Sequence, residues 1–255
     1  MKTDYDRVNE CNNWKGWILI FSTIITIALT INEQYNGASE SIIIKDYLDL
    51  IIGLNSILVL IYIVLDLRAD HLYNKAEKLR RLQYIDNSFN TGFAGHSASN
   101  YFSQDNLIPG FYKLTVNCFE NTFHTYHIVK LMQKSIYRNA LLVLLVFMFS
   151  AVVGNKGAVR MIIEAILPLA LVQNTIRTII VVGRLETLLD SFKALFTTLI
   201  GTTFASREPE AIKQVIDYET TLAWASLPLD SKLFQVSQTQ LATEWDALKS
   251  QYSII

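Results

Sequence analysis

NALLVLLVFMFSAVVGNKGAVRMIIEAILPLALVQNTIRTIIVVG, residues 139–183, decides the fold, because it reads as a hairpin of two bilayer-length apolar helices. Its first arm has an uncharged core, Ala140 to Val153, slightly short for a hydrocarbon layer of about 30 Å. Tyr137, Arg138 and Asn139 supply the missing turn by snorkelling. The second arm, Met161 to Val182, is long enough but carries Glu164, Pro168, Gln173, Asn174 and Arg177. An ionisable group at mid-bilayer costs at least about 2.5 kcal/mol, so such residues face helices, water or a pathway rather than lipid. This arm is the candidate pore-lining helix.

Composition agrees: 51% of residues are hydrophobic and 18% charged, with a mean hydropathy of +0.27. The net charge of −1 offers no field for nucleic acid, and no direct nucleic-acid binding is expected. Cys11 and Cys118 are too few and too far apart for a disulfide framework or zinc site, which fits a reduced compartment. The start, MKTDYDRVNEC, lacks the basic region of a signal peptide, so the first apolar segment is expected to remain as an anchor.

Working outward, Trp14 to Ile31 is the first span, with Trp14, Lys15 and Trp17 at an interfacial belt. The connector NEQYNGASES carries no Lys or Arg. Ile42 to Leu65 is the second span. On a helix, Asp46, Asp49, Gly53, Ser56 and Leu60 share one stripe, either a packing seam with an acidic end or an acidic outer mouth that attracts cations. Beyond Asp66, Leu72, Ala76, Leu79 and Leu82 keep helical spacing, so this helix is expected to run unbroken past the span. Asn90 to Gly110 reads as a loop, and Phe111 to Tyr137 as a helix leading into the third span.

Nine basic residues lie between the second and third spans, from Arg68 to Arg138, against none in the first connector. That asymmetry puts both termini in the cytoplasm. Lys156 and Arg160 in the outer hairpin weaken the bias without reversing it. After Gly183 the fourth helix continues, with Leu185, Leu188, Leu189, Phe192, Leu195 and Phe196 as a packing face, until SREPEA and Pro209 mark a new helix. A further segment runs to about Ser250.

The fold class is therefore an all-α integral membrane protein: four transmembrane helices, with long helices extending into a cytoplasmic helical domain. The expected parts are a hairpin over 1–66, a stalk over 67–138, a second hairpin over 139–183 and a helical region over 184–255.

Chemistry-bearing patterns are sparse. NCFENTFHTYH places Asn117, Glu120, Asn121, His124 and His127 three and four residues apart: a polar seam, a ligand-sensing site, or too few ligands for a metal. The run Lys75 to Arg81 fits topology determinants paired with Asp70, Glu77 and Asp86, or a site for lipid headgroups or nucleotide phosphates. There is no Gly-rich phosphate cradle and no G-x-S-x-G elbow, so no cofactor is expected. Gln173, Arg177 and Arg184 share a polar stripe that in an oligomer lines a hydrated, anion-favouring path, unless Arg177 snorkels to the inner headgroups.

Four spans in two pairs, the basic helix LYNKAEKLRRLQYIDNSF and the late segment IDYETTLAWASLPLDSKLF resemble the bacterial four-transmembrane effectors associated with SMODS-type nucleotidyltransferases, relatives in style of the two-span SLATT effectors. Leu227, Pro228, Leu229 and Asp230 stand where those families have an arginine and a Pro-Asp-Trp/Tyr-like ending. The layout also resembles the four-span membrane sensor of Kiwa-type anti-phage systems, which pairs with a soluble DNA-binding protein. The resemblance implies an inner-membrane, homo-oligomeric effector in contact with membrane lipids that is triggered by a nucleotide second messenger or a soluble cytoplasmic partner. The expected gate is Glu164, Gln173, Asn174 and Arg177; the expected regulatory residues are Arg80, Arg81, Asn117, Glu120 and His124. A different class of function is a lipid-modifying membrane enzyme using Glu120, His124 and His127.

Overall fold

The computed structural model describes residues 4–36, 42–95, 104, 106–153, 158–200 and 202–254, with their side chains except those at 33–46 and 153–164. The regular elements among them are all helical: α1 Asp4–Asn36, α2 Ile42–Phe89, α3 Phe111–Val153, α4 Ala158–Leu199, α5 Glu208–Ala225 and α6 Ser231–Gln251, with one 3-10 turn, Phe204–Arg207, before α5. Each of α1 to α4 is long and apolar enough to cross a membrane.

The ends of these helices follow local chemistry. Beyond α2, Asn90 takes a left-handed φ of 56°, which a short polar side chain tolerates. Gly110 follows at φ 152°, where other residues strain, and its amide donates to the Ser88 carbonyl at 2.8 Å, closing the α2–α3 connection. Asp86 ties the start of that connection by accepting from Thr91 Oγ1 and from the amides of Phe93 and Ala94, each at 2.7 Å. Pro209 sits in the first turn of α5 beside Glu208 and Glu210, which suit the helix dipole there. Asp230 caps α6 by accepting from the amides of Lys232 and Leu233. The N-terminal ten residues, polar in sequence, are helical from Asp4, so α1 begins well before its apolar run.

The chain divides into two compact units. The first comprises Met1–Leu72 and Lys134–Ile176; the second comprises Tyr73–Gln133 and Arg177–Ile255. The divisions fall inside α2, α3 and α4.

In the first unit polarity is inverted. Ser22, Thr26 and Thr30 form one stripe of α1, and all three are buried. Ser22 Oγ donates to Asn55 Oδ1 of α2 at 2.7 Å, and the hydroxyls of Thr30 and Ser150 of α3 bond at 2.7 Å. Val143, Leu167 and Pro168 close in around the same stripe. Outward stand Leu54, Ile57, Leu60 and Val64 of α2 and Leu141, Leu145 and Phe149 of α3. Only 11% of the most apolar window of α2 is buried.

The inward stripe of α2 is not the one its acidic spacing suggests. Asp49, Gly53 and Leu60 are exposed and Ser56 is half-buried, while Asn55 and Val59 are buried. The reason is partnership: Asn55 meets a hydroxyl on α1, whereas among the described residues no cation of the first unit is paired with Asp49. The side chain of Asp46 lies outside the described residues.

The second unit has a conventional core. Leu185, Leu188, Leu189, Phe192, Leu195 and Phe196 are all buried, the face expected from their spacing. Phe119 of α3 stacks on Phe192 and Phe196 at centroid distances of 5.5 and 5.3 Å and meets the edge of Trp245 of α6 at 5.1 Å. Burying such side chains contributes roughly 1.5–3 kcal/mol each.

Because the Ser22–Asn55 bond is buried among apolar side chains, Asn55→Ala is expected to weaken the first unit by about 1 kcal/mol in micellar unfolding. Ile57→Ala, on the outer face, is expected to change it by less than about 0.5 kcal/mol. Equal effects would remove the assigned inner face of α2.

Candidate functional site

α2 enters the second unit with Tyr73, Glu77, Arg80, Tyr84 and Ser88 on one stripe, and all five are buried. This displaces the leucine stripe from the interior: Ala76 is buried, but Leu79 is 44% exposed. The displacement has an electrostatic cause. A buried guanidinium is tolerated only when paired and hydrogen-bonded, and the pairs lie on this face.

Arg80 Nε donates to Glu77 Oε2 at 3.0 Å, and Arg80 Nη2 reaches both oxygens of Glu219 of α5, at 2.9 and 2.8 Å. Arg81 Nε donates to Glu219 Oε2 at 2.8 Å. The Arg80 guanidinium also lies 5.9 Å from the ring centroid of Tyr218, whose hydroxyl is 3.2 Å from Thr125 Oγ1 of α3. Burial works against the charge of Arg80, but the carboxylates of Glu77 and Glu219 outweigh it and hold its pKa well above the usual value. Burial also pushes the Cys118 thiol and the Tyr84 and Tyr218 phenols up, so all three stay protonated. Tyr84 donates to the Leu114 carbonyl at 2.6 Å.

Of the expected partners of the basic run, Glu77 pairs with Arg80, whereas Asp86 serves the α2–α3 connection. Glu219, 139 residues from Arg80, was missed. Its only signal was a carboxylate two residues after Asp217 and three before apolar Leu222, in the second half of α5.

The polar stripe of α3 is the second part of the site. Asn117 is fully buried, and its Nδ2 donates to Asn87 Oδ1 at 2.9 Å and Ser88 Oγ at 3.2 Å. Glu120 accepts from Gln104 Nε2 at 3.1 Å. His124 Nε2 stands 3.9 Å from Glu120 Oε1, too far for a hydrogen bond, with the Phe234 ring of α6 at 6.3 Å. Asn117 Oδ1, Asn121 Nδ2 and His124 Nδ1 are buried without a partner among the described residues. Burial first, and the neighbouring His127 second, lower the His124 pKa to about 4, so the ring is neutral at pH 7. His124 lies sixteen residues before the uncharged run at Ala140, about 24 Å along the helix.

His127 is engaged elsewhere: its Nδ1 is 2.8 Å from the Phe123 carbonyl. It lines a groove of about 510 Å³ between α3, α4 and α6. There Tyr126 Oη donates to Glu186 at 3.0 Å and accepts from Lys130 Nζ at 2.8 Å. Glu120 and His127 thus have separate partners, Gln104 and the Phe123 carbonyl, while His124 Nδ1 has none among the described residues. Among the described residues no three His, Cys, Asp or Glu side chains gather around a metal position.

The expected gate residues lie on α4 and differ in exposure. Gln173 is exposed and Asn174 half-buried in the first unit; Arg177 is half-buried at the first position that α4 contributes to the second unit. Arg184, at the end of their stripe, lies 4.7 Å from the ring centroid of Trp224 of α5. The side chain of Glu164 lies outside the described residues. Comparison of the chain with protein-family models, curated proteins and solved structures returns no match.

Removing Glu219 leaves Arg80 with Glu77 alone and takes from Arg81 the acceptor of its Nε. Glu219→Ala is expected to cost about 3 kcal/mol in equilibrium unfolding, and Arg80→Met on that background to restore part of it. Additive losses would show that the pair is not coupled.

The folded-state pKa of His124 is below its ordinary 6.5, so protonation favours the unfolded chain. The stability involved is intact above pH 6.5 and drains away as pH falls toward about 4. Between pH 6.5 and 5 the wild type is expected to lose roughly 2 kcal/mol that His124→Gln keeps. Parallel stability curves for the two would contradict the buried, neutral ring.

Proposed function

We propose that the chain is the membrane-embedded component of a bacterial anti-phage defence system. In this reading it is an oligomeric inner-membrane effector with both termini in the cytoplasm, and it opens or disrupts the bilayer when its second unit is triggered. The observation that carries the reading is the inverted polarity of the first unit, with hydroxyls and an amide inside and leucine, isoleucine and phenylalanine outside. Such a surface gains nothing in water and suits lipid, where small hydroxyls and amides bind helices together.

The second unit supplies the trigger. Its buried ion cluster joins α2 to α5, and its α3 stripe keeps hydrogen-bonding capacity unspent in Asn117, Asn121 and His124. A signal that takes up those groups acts on helices that also contribute to the first unit. Gln173, Asn174 and Arg177 on α4 then line the opened path around the oligomer axis.

A second reading, a membrane sensor that recruits a soluble partner, draws on Ile212 and Ile216, exposed one turn apart on α5. It keeps the membrane placement and replaces conduction with recruitment. Neither reading involves catalysis.

The experiment is membrane potential in phage-challenged cells. The wild type is expected to depolarise them and Arg177→Leu to express equally without depolarising. Depolarisation by the variant at the wild-type level would overturn the gate, and absence of depolarisation by the wild type would leave recruitment as the function.

A further inference from the structure

One built feature is used by neither the ion cluster nor the α3 stripe. In the first unit, a groove of about 590 Å³ lies between the start of α1 and the stretch of α2 just past its apolar run. Arg7, Glu10 and Trp14 on α1 recur at i, i+3 and i+7, and Leu65 and Arg68 on α2 at i and i+3, so each helix turns one stripe to the groove. We infer that this groove is a binding site for the phosphodiester headgroup of an anionic phospholipid. The inference rests on the membrane placement proposed above.

Depth comes first. Arg68 lies three residues past Leu65 and Arg7 seven residues before Trp14, or about 4.5 and 10 Å along their helices. A headgroup layer is about 5–8 Å thick on each side of the hydrocarbon. With Trp14 and Leu65 at the hydrocarbon edge, the two guanidiniums bracket the level of the lipid phosphate. Trp14 and Trp17 are 60% and 57% exposed, as interfacial anchors are.

Charge is the second argument. The groove lining carries Arg7 and Arg68 against Glu10 alone. Arg68 is exposed and has no ion-pair or hydrogen-bond partner among the described residues. Arg7 is only loosely held: its Nη1 is 3.7 Å from Asp4 Oδ1, and its side chain is 53% exposed. Lys15, another cation near this level, is already committed, donating to Asp66 at 2.7 Å with its ammonium 5.9 Å from the Tyr62 ring centroid. Two forked donors with spare N–H groups, above an apolar wall of Trp14 and Leu65, match a phosphodiester that carries acyl chains. A free phosphate shares the headgroup chemistry but gains nothing from the wall.

The full chain is purified in mild detergent and exposed to equal phosphatidylglycerol and phosphatidylcholine, and retained lipid is counted by native mass spectrometry. The wild type is expected to retain phosphatidylglycerol preferentially. Arg68→Gln should cut that preference about five-fold and Arg7→Gln/Arg68→Gln about thirty-fold, each arginine being worth a factor of roughly five at an anionic surface. Both positions are exposed, so a circular-dichroism melt matching the wild type in phosphatidylcholine alone verifies that the variants fold. Equal retention of the two lipids by the wild type, or an unchanged preference in the double variant, overturns the site. Displacement of the lipid by millimolar inorganic phosphate overturns the role of the apolar wall and makes it a phosphate site. A separate arm tests the placement beneath it: if alkaline carbonate releases the chain from membranes, the membrane reading fails; if the chain stays while lipid selection is absent, only the site fails.

Discussion

A helix surrounded by apolar side chains has to satisfy its backbone hydrogen bonds internally, and every long apolar segment in this chain obeys that constraint. α1 to α4 run 33, 48, 43 and 42 residues, and Pro168 is the one proline inside them. Pro168 is buried beside Ser22, Thr26 and Val143 of neighbouring helices, and enclosure by other helices is where a proline inside an apolar helix is tolerated. Side-chain hydroxyls elsewhere serve the same end. Thr23, Thr30, Ser56 and Thr175 each donate to the carbonyl four residues back, which keeps polar atoms from facing hydrocarbon.

The second unit meets the opposite problem, since it buries formal charge. Arg80 sits among Glu77, Glu219, Tyr218 and Arg81 rather than in water, and such a cluster stabilises only if each donor finds an acceptor. Four hydrogen bonds are spread over two carboxylates, while Arg80 Nη1 is without an acceptor among the described residues. An ion pair that nearly breaks even contributes specificity more than stability. Here that specificity fixes which face of α5 meets α2, because Glu219 is the acidic residue of α5 on that face. Asp217, two residues earlier, pairs outward with Lys213.

Much of the architecture was legible because it depends on averages. Long apolar runs, the α2 helix continuing to Phe89, the connection after it, the α4 packing face and Pro209 at the start of α5 all follow from composition and period. What averages cannot supply is which of several faces turns inward. The acidic stripe of α2 and its leucine stripe both had proper helical spacing, yet Asn55 and Arg80 decided the rotation, because each has a polar partner on another helix. The Ser22, Thr26, Thr30 seam was hidden for a related reason: small hydroxyls barely alter hydropathy, so a span containing them reads as plain apolar sequence. Glu219 was invisible for distance alone, since no local rule links residues 139 apart.

The arginines show how far environment, not residue type, sets what each can recognise. Arg80 spends Nε and Nη2 on two carboxylates and is nearly sealed from solvent, so an incoming phosphate would have to displace Glu219 and pay its desolvation as well. That argues against Arg80 itself as a phosphate contact in the folded arrangement, although the charge pattern of the run invites one. Arg184 presents a guanidinium face to Trp224, which leaves its edges available but fixes its direction. Arg68 has neither constraint. A fork that is unengaged, beside an apolar wall and a second loosely held arginine, is where the smallest rearrangement accepts an anion. In the proposed reading, recognition of negative charge belongs to the first unit, while the charged interior of the second joins α2 to α5.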